Sequence, residues 1–189
     1  MNTQALEKFA QSSRRRLIKQ VSTKLRLINS EGSAARRENP EAIRNLEKQI
    51  ANHGEQQVIE KNAYIWFNRL CALRFMDANG YTRIAVVSPK QDQTQPEILV
   101  EAKSGYFDDF LTPNETQDEV ISFINRSSPS NDPESEAYRL LVVAACNYYH
   151  KAMPYLFARI TNYTELLMPD NLLSSGSVMR NALEVMTDE

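Results

Sequence analysis

Two stretches of this sequence carry apolar side chains on almost every face of a helix. The first covers residues 55–78, where Val58, Ile59, Ala63, Trp66, Phe67, Leu70, Leu73 and Met76 make a wide face. Ile65, Cys71, Ala72 and Phe75 extend that face most of the way round. The second follows Asn131-Asp132-Pro133-Glu134 and runs through Tyr138, the block 140–146 and Tyr149. A helix with no polar side to turn to water belongs in the middle of a packed domain. The two are therefore predicted to lie side by side as the centre of a mainly α structure, a helical bundle with long buried helices.

The other segments read as amphipathic helices around that centre. Leu6, Phe9, Leu17, Val21, Leu25 and Ile28 form one stripe at helical spacing, predicting a helix over about 3–29. Glu31-Gly32-Ser33 ends it. Asn39-Pro40-Glu41 is a start signal, with Asn as cap, Pro at the first helical position and an acid at the positive dipole end. Ile43, Leu46 and Ile50 face inward there, and His53-Gly54 closes the segment. Asn79-Gly80 stops the 55–78 helix.

Further along, Arg83 to Val87 is short and β-branched, which predicts at most a strand or hairpin near 83–87, or an extended run laid on the helices. Short helices are expected from Pro96 to Lys103 and over 115–126. Pro154 kinks or ends the second central helix. Leu166-Leu167-Met168 precede a turn at Pro169-Asp170-Asn171, and Ser177 caps a last helix. The chain is read as a basic helical hairpin, 1–54, joined to a helical core, 55–189, in one compact domain. No element after Met186 closes the fold, which is read as a boundary within a longer protein.

The 189 residues have a net charge of only −2, but residues 1–37 carry +7 and the remainder −9. Arg14, Arg15, Arg16 and Lys19 are the densest part of the basic region and lie mostly off the apolar stripe. Consecutive arginines on a helix fan across a broad arc and can reach several phosphates, without reading bases. The same pattern also describes an ordinary solvated helix face. Both readings are open from the residues alone.

Catalytic chemistry is harder to find. Glycines number 5 and are scattered, which leaves no glycine-rich strand-to-helix turn for S-adenosylmethionine and no P-loop. No Pro-Pro dipeptide exists to build a base-gripping loop. His53 and His150 are isolated. Cys71 and Cys146 sit in apolar stretches, far from metal-ligand spacing, and read as small buried hydrophobes of a reducing, cytoplasmic compartment. Neither a signal peptide nor a membrane span is evident. Asp92 with Glu101-Ala102-Lys103 matches the loose pattern of metal-dependent nucleases, in which carboxylates hold the metal and Lys steadies water. That chemistry needs Glu and Lys on one face of a strand, whereas here a helix is predicted.

Three segments carry a family likeness: NAYIWFNRLCALRFMDANGY (62–81), EAYRLLVVAACNYYHKAMPYLF (136–157) and NYTELLMPDNLL (162–173), together with the opening MNTQALEKFAQSSRRRLIKQV. They resemble the N-terminal region of the adenine-specific DNA methyltransferases of BREX phage defence, the PglX/BrxX family. The resemblance implies a parent enzyme that methylates adenine N6 in double-stranded DNA with S-adenosylmethionine, alongside other BREX proteins. It implies that the cofactor and base-flipping motifs lie in a downstream methyltransferase domain. The present residues are then expected to be a non-catalytic piece that supports DNA engagement and docking.

Overall fold

A computed structural model describes residues 3–30, 32–157 and 162–187. Its elements in order are α1 (Thr3–Asn29), α2 (Ala34–Glu38), α3 (Pro40–His53), α4 (Glu55–Ala78), α5 (Glu97–Lys103), α6 (Asn114–Ile124), α7 (Pro133–His150), α8 (Asn162–Leu166) and α9 (Val178–Val185). The architecture is a mainly α bundle. Glu31, read as part of the stop after α1, and the last two residues, Asp188 and Glu189, lie outside the described residues.

The core has two buried clusters, and α4 runs through both. Its first half places Val58, Ile59 and Ala63 against Leu17, Val21 and Leu25 of α1, Leu46 of α3 and Ala182 of α9. Its second half places Trp66, Leu70 and Leu73 with Tyr138, Leu141 and Ala145 of α7, Leu99 of α5 and Val120 of α6. The indole N–H of the fully buried Trp66 donates to the carbonyl of Thr164 at 3.1 Å, so the one polar atom of that ring is satisfied inside the core.

The two central helices share one buried cluster but are not in close backbone contact. The closest backbone neighbour of α4 is α1, and that of α7 is α6. Large side chains fill the space between α4 and α7, among them Trp66 and the buried Arg69, whose guanidinium stacks over Trp66 at 5.0 Å from the ring centroid. Burial lowers the pKa of Arg69, opposed by neighbouring Cys146 and Tyr163. Nor is α4 covered on every side: Tyr64 and Phe75 are 62% and 50% exposed. Apolar composition overstated the burial of that face.

Chain turns follow backbone chemistry. Gly54 is the single residue between α3 and α4, at φ 81° and ψ 150°, a conformation essentially reserved for glycine. Gly80 (φ 67°) ends α4 in a Schellman motif, with Tyr81 N–H on the Met76 carbonyl at 2.9 Å and Gly80 N–H on that of Asp77 at 3.1 Å. Arg126 plays the same part after α6 at φ 56°, without being a glycine.

Residues 83–87 form neither a strand nor a hairpin. Among the described residues the ladder contact is one isolated antiparallel bridge, Pro89 with Pro96. A side chain takes the place of a partner strand: the Asp77 carboxylate accepts the N–H groups of Val86 (3.1 Å), Val87 (2.7 Å) and Ser88 (2.9 Å). The hydroxyls of Thr82 and Ser88 donate to it as well. Burial raises the pKa of this carboxyl, and the three backbone donors and Thr82 pull it down. Arg74, one turn earlier on α4, donates to Ser88 Oγ at 2.7 Å and to the Met186 carbonyl at 2.9 Å. Tyr138 Oη closes the arrangement from α7 by donating to the Val86 carbonyl at 2.8 Å.

Candidate nucleic-acid interface

α1 is built as a two-sided helix. Its buried residues Phe9, Ser13, Leu17, Val21, Leu25 and Ile28 face α4 and α9, and its cations face away. Arg14, Arg15, Arg16 and Lys19 are all exposed. None of the four makes an ion pair with a described residue. No acidic residue falls between Glu7 and Glu31 in the sequence. Two other cations of the basic region are paired: Lys24 with Asp170, and Arg36 with Glu47 at 3.1 Å.

The four predicted residues do not share one direction. With about 100° between successive residues, Arg14 and Arg16 leave the helix on either side of Arg15. Arg16 leans on the loop before α9, where a β-carbon on Gly176 would meet its Nη1 at 3.3 Å. Arg15 and Lys19, four residues apart, point together straight out from the bundle. Lys8 and Arg26 are exposed in the same register, seven residues before Arg15 and seven after Lys19. The run of three arginines drew attention away from them, although the 7–4–7 spacing is present in the sequence.

The nuclease-like residues are not assembled. α5 is a helix, so Glu101 and Lys103 diverge. Glu101 pairs with Lys90, and Lys103 with Glu134 and Gln95. Asp92 is exposed at φ 65° in a turn, and no hydrogen bond or ion pair joins any two of the three. Among the described residues no group of three or more His, Cys, Asp or Glu side chains is placed to hold a metal. None of the described helices is long and apolar enough to cross a membrane.

No protein-family model matches the chain. Two curated proteins do. Over 146 residues, 76% of this chain, it is 31% identical to the adenine-specific methyltransferase BrxX of Escherichia coli O9:H4 (strain HS). Over 136 residues, 70% of this chain, it is 29% identical to the adenine-specific methyltransferase PglX of Lacticaseibacillus casei (strain Zhang). The chain spans only 12% and 11% of the length of these two relatives. By sequence, then, this helical chain is similar to about a ninth of each of two adenine-specific methyltransferases, BrxX and PglX.

Proposed function

We propose that this chain is a non-catalytic helical module of a site-specific adenine N6 DNA methyltransferase of BREX defence. It supports engagement of double-stranded DNA and docks on the catalytic domain or on other BREX proteins. S-adenosylmethionine chemistry belongs to the rest of the parent enzyme. The observation that carries the DNA role is the set of exposed α1 cations Arg14, Arg15, Arg16 and Lys19, which make no ion pair with a described residue. Similarity to two adenine-specific methyltransferases supports it.

Reversing all four residues to Glu weakens duplex binding at low salt, measured by fluorescence anisotropy on the 189-residue chain. Binding that stays the same throughout a salt titration overturns the DNA role.

A second reading, docking without DNA contact, draws on large apolar side chains that face solvent, notably Phe110 at 72% and Tyr155 at 102% exposure. It requires no duplex affinity at any salt concentration. It also requires that these side chains lose exposure when the catalytic part of the enzyme is added, read by hydroxyl-radical footprinting.

A further inference from the structure

We propose that the phosphate-binding element is a straight ridge on α1 made by Lys8, Arg15, Lys19 and Arg26, which lies along the backbone of duplex DNA. This rests on the DNA reading above and narrows it: Lys8 and Arg26 join the site, while Arg14 and Arg16 flank it.

The register carries the argument. Lys8 and Arg26 are 18 residues apart, which is about five turns at 3.6 residues per turn, so the two project in the same direction. Arg15 and Lys19 fall on the same line within about 20°. At about 1.5 Å per residue the ridge is ~27 Å long. It stands opposite Leu17, a fully buried residue of the inward stripe, and all four of its cations are exposed.

A fold gains nothing from this arrangement by itself. Like charges at i and i+4, as at Arg15 and Lys19, repel and destabilise a helix. The neighbouring cations Lys24 and Arg36, by contrast, are each given an acidic partner, Asp170 and Glu47. The ridge has no such counter-charge among the described residues. A linear polyanion supplies it from outside. Duplex DNA presents one negative charge per ~1.7 Å of its axis, so a rod of this length always has phosphates within reach of four long side chains, whatever the sequence.

The test is a salt titration of the 189-residue chain on a duplex of arbitrary sequence, by anisotropy, with circular dichroism to keep the comparison to folded protein. Each phosphate contact adds about 0.9 to the slope of log K against log salt. Four contacts give a slope near −3.6, and Lys8→Gln with Arg26→Gln cuts it to about −1.8. Arg14→Gln with Arg16→Gln, which flank the ridge, lowers it by less than half as much. If the second pair lowers the slope as much as the first, the ridge is wrong and the broader DNA reading stands. If the unmodified chain binds no duplex, both fall. If poly-glutamate at equal charge competes as well as duplex, the ridge is assigned to an acidic protein surface instead.

Discussion

Asp77 accepts the backbone N–H of Val87 at 2.7 Å, and through this and four further hydrogen bonds it holds the 82–88 segment against the end of α4. Replacing Asp77 with Ala leaves three backbone donors without an acceptor in a partly buried site. At ~1 kcal/mol or more for each, the loss is about 3 kcal/mol. Asp77→Asn keeps one acceptor oxygen but turns an amide NH2 group towards the remaining N–H donors, so it recovers only part of the loss. A urea melt of each variant checks this, and a midpoint shift below about 0.5 kcal/mol for Asp77→Ala would remove the clamp from the account of stability.

Gly54 and Arg126 make opposite predictions from one physical cause. Gly54→Ala forces a β-carbon into a glycine-only conformation and costs at least ~1 kcal/mol. Arg126→Gly relieves an exposed side chain at φ 56° and stabilises by about 1 kcal/mol. Chemical denaturation of the pair tests both signs in one experiment.

Helix caps provide a finer contrast. Ser177 Oγ accepts the Arg180 N–H at 3.0 Å and Asp132 accepts that of Ser135 at 3.2 Å. Asn39 precedes α3 with the right sequence but makes no side-chain cap bond. Ser177→Ala and Asp132→Ala are each expected to cost about 1 kcal/mol. Asn39→Ala changes stability by less than about 0.5 kcal/mol, the usual range for a surface substitution. An Asn39→Ala loss as large as that of Ser177→Ala would contradict the geometry.

Burial pushes the thiols of both Cys71 and Cys146 up to about 12. At pH 8 the thiolate is then about one part in ten thousand, and thiolate is the reactive form. Ellman's reagent therefore reacts slowly with the folded chain and rapidly in 6 M guanidinium. Fast titration of two thiols in native buffer would show that the core opens far more readily than its packing implies.

The long helices were legible because their signals are local. The stripe from Leu6 to Ile28 and the stop at Asn79-Gly80 placed α1 and α4 at their observed bounds. What escaped was decided across the chain. Residues 83–87 have strand-forming side chains, yet their N–H groups are taken by Asp77, an acceptor on α4 that residue preference does not register. The short α2 and α8 lack enough turns to show a period. Asn39 could not be told from Ser177, since a cap is a hydrogen bond and the sequence states only its donor and acceptor types. For the candidate site, the charge run was plain in the residues, but its direction emerged only once α1 was known to continue unbroken through Lys8 and Arg26.

The inward stripe of α1 meets its partners late in synthesis. Phe9 and Leu17 belong to the same buried cluster as Tyr163, Leu167, Val178 and Ala182. α1 therefore emerges from a ribosome well before α9, and its packing is completed only when α9 follows. Until α9 emerges, a nascent chain displays a basic face together with an apolar one that α4 covers only in part. Factors that bind emerging polypeptides have their most exposed target at that stage.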